Sequence, residues 1–143
     1  MSKFIHRVKY YETDKMGITH HSNYVRWMEE GRVDYLEKIG LSFAGMEAKG
    51  IASPVVSLDV KYKAPCTFDD EVEVETLVHD YTGIRLLFSY TMRNAKTGAV
   101  LVEANSSHCF LFGGKVVSMK KAFPDLDKVM TEAVERQKAG QNK

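Results

Sequence analysis

The chain has 143 residues, which is enough for one domain with a single hydrophobic core. Its composition, 44% hydrophobic and 27% charged, is that of an ordinary globular protein. The formal net charge of +1 gives no electrostatic reason to expect nucleic acid or an anionic membrane surface as a partner.

The predicted elements begin with a short strand and a long helix. Residues 4–11 alternate loosely between apolar and polar side chains, which predicts a strand. Residues 22–39 carry apolar side chains near helical spacing, with Ser22 as a candidate N-cap and Gly40 as a stop signal. Gly31 lies on the apolar face and costs about 1 kcal/mol relative to alanine. We therefore expect a sheet to approach the helix closely there.

A series of strands is predicted after a connector that contains Gly45, Gly50 and Pro54. The predicted strands are residues 55–63, 71–78, 84–93, 99–112 and 115–119, followed by a helical tail at residues 125–138. Tight turns between successive strands favour an antiparallel meander. The pattern predicts one α+β domain over residues 1–143, in which a sheet curls around the long helix.

Residues 9–36 hold the strongest chemical signal. Asp14 stands in a short polar loop that runs through His20 and His21 into the predicted helix. This order brings a carboxylate next to a helix N-terminus, where unpaired backbone N–H groups can polarise a carbonyl. Such a pair is the minimum equipment for acyl-group hydrolysis. The run Thr-Asp-Lys-Met-Gly is also typical of a turn held by an Asx-type hydrogen bond, so a purely local role for Asp14 is the alternative.

The same residues resemble the opening of the hot-dog-fold acyl-CoA thioesterases of the 4-hydroxybenzoyl-CoA type, including the Tol-Pal-associated branch. The run Lys61-Tyr62-Lys63-Ala64-Pro65, followed by Asp70-Glu71-Val72, is similar to that family's second-to-third-strand junction. The resemblance implies a hot-dog fold, in which an antiparallel sheet wraps around one long central helix. It implies acyl-CoA as substrate, no cofactor or metal, and a homodimer or homotetramer with its active site at the boundary between chains.

The resemblance also assigns roles to individual residues. Asp14 matches the catalytic carboxylate, which acts as a nucleophile on the thioester carbonyl or as a general base on water. The backbone N–H of His21 matches the donor to the thioester oxygen, and the side chains of His21 and Tyr10 match supporting groups. The expected substrate-binding residues are Ser22, Asn23, Tyr24, Ser57, Leu58 and Arg85.

Other polar residues in the sequence are weaker candidates for a functional role than Asp14 and His21. Because neighbouring side chains in an extended segment point in opposite directions, His20 and His21 are not expected to serve one metal. Glu29 and Glu30 lie on the long helix, where other hot-dog branches carry their acid, and we interpret them as solvated. The coenzyme phosphates are expected to meet scattered cations such as Lys61, Lys63, Lys115 or Arg85.

Two alternative functions stay open at this point. One is a thioesterase of the same fold acting on acyl groups carried by acyl-carrier protein, and the other is a non-catalytic acyl-CoA-binding module. No Gly-x-Ser-x-Gly elbow, Walker-type loop, dinucleotide fingerprint or zinc pattern occurs in the sequence.

Cys66 and Cys109 lie far apart and are expected to be reduced thiols, which favours a cytoplasmic protein. Neither a secretory signal nor a run of ~18 apolar residues is found.

Overall fold

Residues 2–141, which the computed structural model describes, form eight strands and four α-helices. The strands are β1 (Ser2–Arg7), β2 (Ile51–Ala52), β3 (Val55–Tyr62), β4 (Glu71–Tyr81), β5 (Arg85–Asn94), β6 (Val100–Cys109), β7 (Leu111–Phe112) and β8 (Lys115–Val116). The helices are α1 (Ser22–Lys38), α2 (Phe43–Ala48), α3 (Met119–Ala122) and α4 (Pro124–Gln141). The prediction of an α+β chain with one long helix ahead of most of the strands is confirmed.

Five strands form an antiparallel sheet in the order β1-β4-β5-β6-β3. The predicted meander is correct for β4, β5 and β6 but wrong for β3, which pairs with β6 at the edge opposite to β1. The strand predicted at residues 115–119 is present but shorter, because β8 covers residues 115–116 and residue 119 begins α3, and it pairs with β7 in a separate three-stranded sheet. Hydrophobic alternation tells which face a residue occupies but not which strand is its neighbour.

The long helix packs against the inner face of this sheet. Its buried residues include Trp27, Met28 and Tyr35, and the Tyr35 ring lies 5.8 Å from the ring of Phe88 on β5. At Gly31, an added Cβ would clash with Thr76 Oγ1 on β4 and would lie 3.4 Å from Val74 Cγ1. The expectation of a close approach at this glycine is therefore confirmed. The helix stops before Gly40, whose φ is +89°.

The predicted alternation in β4 is also confirmed. Its inward side chains, Val72, Val74, Thr76 and Val78, are all buried. Its glutamates face outward and pair with neighbouring cations, as Glu71 does with Arg7 at 2.8 Å and Glu75 with Arg93 at 2.8 Å. These acids are therefore part of the outer face of the sheet.

Three local predictions differ from the structure. The first strand ends at Arg7, and Tyr10–Glu12 form a single 3₁₀ turn closed by the Glu12 N–H bond to Lys9 O at 3.0 Å. The N-cap of α1 is His21, so Ser22 is the first helical residue and not the cap. The connector after α1 contains α2, whose cap Ser42 accepts a bond from Gly45 N at 3.0 Å.

The helical tail predicted at residues 125–138 is confirmed by α4. None of the helices within residues 2–141 has the length and apolar character that crossing a membrane requires.

Candidate active site

The loop that carries Asp14 is a tight hairpin between the 3₁₀ turn and α1. Thr13 and Thr19 form an antiparallel bridge, and Asp14 N donates to Ile18 O at 2.9 Å. Gly17, with φ at +78°, allows the turn, and its N–H donates to Asp14 O at 3.0 Å. The loop is thus ordered by its own backbone bonds.

The Asp14 carboxylate is half-buried and makes one hydrogen bond. Its Oδ1 accepts from Met16 N at 2.8 Å, so the Asx-type turn bond that formed the alternative interpretation is present. The other oxygen has no hydrogen-bond partner among residues 2–141. The turn bond therefore orients the carboxylate and leaves one oxygen free for chemistry.

The backbone N–H of His21, at the start of α1, is an unpaired donor. Ser22 N donates to His20 Nδ1 at 3.3 Å and Asn23 N donates to His20 O at 3.0 Å. The N–H of His21 has no acceptor in the part of the chain that the structure describes. It lies where the helix dipole adds partial positive charge, so it is suited to hold a carbonyl oxygen.

The two histidine rings lie side by side, with centroids 4.2 Å apart and planes at 31°. The expectation that they point in opposite directions is wrong, because His21 takes helical backbone angles (φ −56°, ψ −29°) in place of extended ones. No cluster of three or more His, Cys, Asp or Glu side chains suited to a metal occurs within residues 2–141.

Asp14 and His21 open onto the same cavity, whose volume is about 340 Å³. The other lining residues are Ile18, Thr19, Tyr24, Tyr62, Lys63, Ala64 and Pro65. Tyr62, on β3, reaches over the helix start, since its hydroxyl lies 3.4 Å from His21 O and its ring 5.5 Å from that of Tyr24. The sequence did not single out Tyr62 as a site residue, although it lies within the run 61–65 that matched the family.

A buried thiol contacts two of the residues that line this cavity. Cys66 Sγ lies 3.1 Å from Thr19 Oγ1 and 3.4 Å from the Tyr24 hydroxyl. Burial raises the pKa of the Cys66 thiol and that of the Tyr24 phenol. Both groups stay protonated near neutral pH. Asp14 carries the single carboxylate among the residues that line the cavity.

Three expected site residues near the helix start do not line the cavity in the single chain. Tyr10 is 76% exposed and its ring packs edge-on against Phe68 at 5.6 Å. The Ser22 hydroxyl pairs with His20 Nδ1 at 2.8 Å. Asn23 is buried, and its amide donates to Glu12 O at 2.9 Å. Tyr24, the fourth expected residue in this region, does line the cavity.

The remaining expected residues lie elsewhere in the chain. Ser57 and Leu58 line a second cavity of about 520 Å³ beside β3. Arg85 is the first residue of β5. The length of this strand, roughly 30 Å, separates Arg85 from the end of the sheet where Ile18 bridges to Thr67. One chain therefore does not bring these residues to Asp14.

The helix acids are also separate from the Asp14 cavity. Glu29 and Glu30 are exposed and line a different groove along the outer side of α1. Glu30 Oε2 lies 3.5 Å from His6 Nδ1. This placement is consistent with their interpretation as solvated residues.

Glu12, which sequence reasoning missed, is a buried acid behind the loop and is 5% exposed. Burial opposes its ionisation, but hydrogen bonds from Lys9 N, His6 and Trp27 outweigh burial and lower the pKa of the Glu12 carboxyl. No spacing pattern in the sequence could reveal this contact set, because the three donors come from residues 6, 9 and 27.

Comparisons with known proteins agree on one family. The profile described as the Thioesterase-like superfamily matches residues 8–133. A Bacillus subtilis protein named putative acyl-CoA thioesterase YneP is 38% identical over 120 residues, covering 82% of this chain and 86% of its own. The acyl-CoA thioester hydrolase YbgC of Escherichia coli O157:H7 is 32% identical over 90 residues, covering 63% and 67%. The structure of a DHNA-CoA thioesterase from Staphylococcus aureus superposes with a TM-score of 0.90 at 33% identity, covering 97% of this chain and 94% of that one.

Proposed function

Because this chain belongs to the Thioesterase-like superfamily and is a thioester hydrolase with the hot-dog fold, we propose that it hydrolyses acyl-CoA to a carboxylic acid and CoA. One observation carries this assignment: Asp14 and His21 line the same cavity, and the His21 N–H has no acceptor among residues 2–141. In this proposal Asp14 is the base or nucleophile, and the His21 N–H is the group that stabilises the oxygen of the target carbonyl.

In the proposed reaction the thioester oxygen accepts a hydrogen bond from His21 N–H as the carbonyl carbon is attacked. In one route the free oxygen of Asp14 attacks directly, the C–S bond breaks, and CoA leaves as the thiolate that takes up a proton. Water then hydrolyses the resulting mixed anhydride and restores the carboxylate. In the other route Asp14 takes a proton from water as the water attacks, and the proton finally resides on the CoA sulfur. The side chains of His21 and Tyr10 have supporting roles in both.

The assembly we propose is at least a dimer formed through β3. This edge strand exposes four large apolar side chains, Val55, Val56, Leu58 and Tyr62. The other edge, β1, exposes Ile5 and carries Lys3 and Arg7, charges of the kind that protect sheet edges. Pairing two copies through β3 extends the sheet and covers the apolar side chains.

Such pairing also accounts for the site residues that one chain leaves apart. Two β3 strands related by a two-fold axis run antiparallel, so the Val55 end of one lies beside the Tyr62 end of the other. Tyr62 lines the Asp14 cavity, whereas Ser57 and Leu58 line the second cavity. We infer that the second copy supplies Ser57 and Leu58 to the acyl-binding side of the site. A tetramer of two such dimers is compatible with this arrangement.

The acyl carrier is proposed to be CoA and not acyl-carrier protein. Lys63 is the single lysine or arginine among the nine residues that line the cavity. Acyl-carrier protein is strongly acidic and needs a surface rich in such residues, whereas CoA needs few cations for its phosphates. We therefore expect kcat/KM for a CoA ester to be at least as high as that for the same acyl group on carrier protein.

The measurement is kcat/KM with both carriers at two ionic strengths. A large preference for the protein-borne acyl group that collapses with added salt would overturn the assignment, because salt screens exposed charges beyond ~10 Å. A preference for CoA that changes little with salt supports it.

We place the enzyme in the cytoplasm. Cys66 and Cys109 are both free thiols in the structure, which fits a reducing compartment.

A further inference from the structure

We propose that Glu12 is a positioning residue that holds the Asp14 loop and the start of α1 at a fixed separation. This inference rests on the function proposed above, because it concerns the same two reacting groups. Glu12 itself does not line the cavity, so its effect on catalysis is through the residues it fixes.

The carboxylate of Glu12 is fixed by donors from three parts of the fold. Oε1 accepts from Lys9 N at 2.7 Å and from His6 Nε2 on β1 at 2.8 Å. Oε2 accepts from Trp27 Nε1 on α1 at 2.8 Å. A buried carboxylate is tolerated only when its oxygens are paired in this way. The side chain therefore has one favourable position between strand and helix.

The backbone of Glu12 joins the two ends of the catalytic loop. Its carbonyl accepts from His20 N at 2.8 Å and from Asn23 Nδ2 on α1 at 2.9 Å. Asp14 follows Glu12 by two residues, and His21 follows His20 by one. Both reacting groups are therefore connected to the same pair of hydrogen bonds.

Other contacts of the loop do not duplicate this connection. Its far side is attached to the segment before β4, through Thr19 N to Cys66 O at 2.8 Å and the bridge between Ile18 and Thr67. Between residues 12–14 and α1, within the chain that the structure describes, every hydrogen bond is made by Glu12. Loss of its carboxylate would thus remove the Trp27 bond and leave the Asn23 bond to the Glu12 carbonyl as the remaining hydrogen bond between this segment and α1.

The distance between Asp14 and His21 matters because acyl transfer needs the attacking oxygen and the oxyanion donor at a fixed distance and orientation. A misplacement of about 1 Å can cost on the order of 100-fold in rate. A residue that sets this spacing should affect kcat more than KM, since it alters geometry at the reacting centre and not the area that binds substrate.

The test is Glu12→Gln compared with Glu30→Gln. Both lose a carboxylate that contacts His6, but Glu30 contacts it from the exposed side and touches neither the loop nor its hydrogen bonds. A glutamine at position 12 presents an oxygen to Lys9 and His6 and a donor to the Trp27 N–H, so one side is mismatched. We expect Glu12→Gln to lower kcat per folded molecule by at least about 10-fold with KM within about twofold. Glu30→Gln should match wild type.

Hydrogen exchange provides a readout independent of activity. In Glu12→Gln the amides of Asp14 and His20 should exchange faster, while amides in the centre of β4 keep their protection. Unchanged kcat per folded molecule, or lower kcat with unchanged loop exchange, would overturn the inference.

Asn23→Ala keeps the test decisive if Glu12→Gln does not fold. This variant leaves the carboxylate in place and removes the amide bonds from α1 to the Glu12 carbonyl and to His20 O. It should also lower kcat and accelerate exchange at Asp14, and normal values for both would overturn the inference. Absence of activity in the wild-type protein would instead reject the proposed function, and the exchange data would still decide the role of Glu12.

Discussion

The Asp14→Asn variant is expected to hydrolyse thioesters at least about 100-fold more slowly than the wild-type protein, with an unchanged melting temperature. Asparagine keeps the volume of the side chain, and its amide oxygen can still accept the turn bond from Met16 N. What is lost is the charge on the second oxygen, which is the group that attacks or takes a proton. The measurement is kcat for thiol release together with a thermal melt.

Asp70→Asn is a matched control for this variant. Asp70 is also a loop aspartate, and its Oδ2 accepts a turn bond from Thr67 N at 2.9 Å. It does not line the Asp14 cavity, so turnover should stay close to that of wild type. Wild-type turnover in Asp14→Asn, with the same melt, would move the chemistry elsewhere, with Glu29 and Glu30 as the next candidates.

The second large effect is expected at the edge of the sheet. Val56 on β3 is 65% exposed in the single chain and is proposed to be covered by a second copy. Val56→Asp buries a carboxylate without a partner in each copy, which opposes association. We expect light scattering to give a monomer for this variant and an assembly of at least two chains for wild type. Turnover should fall by at least about 10-fold, because the site loses the residues of the second copy.

Ile5→Asp supplies the comparison at the other edge. Ile5 on β1 is 52% exposed, so this substitution introduces the same charge on a similarly exposed edge residue. It should leave both the assembly and the turnover as in wild type. A wild-type protein that is a stable monomer and still hydrolyses thioesters would contradict the proposed assembly.

The elements of this fold could be predicted where periodicity or backbone chemistry is strong. The apolar stripe of α1, the stop at Gly40 and the alternation in β4 all follow from local rules, and the structure has them at nearly the predicted residues. The pairing of β3 with β6 was missed because it depends on the crossover through α1 and α2. Tertiary packing, and not the strand's own sequence, selects that neighbour.

The candidate site was predictable to a similar degree. Asp14 and His21 are close in sequence, so their placement around one helix start follows from local order. Tyr62 and Lys63 come from a distant strand and enter the cavity through the sheet topology. No local pattern singles out Glu12, since its donors are spread over β1, the 3₁₀ turn and α1.

The most direct test of the central claim is release of free thiol from a panel of short, long and aromatic acyl-CoA esters, with wild type and Asp14→Asn assayed in parallel. The proposed function predicts that wild type hydrolyses at least one ester class and that Asp14→Asn loses at least about 100-fold of that activity. The account would be contradicted if no ester in the panel were hydrolysed by the wild-type protein, or if both proteins released thiol at the same rate.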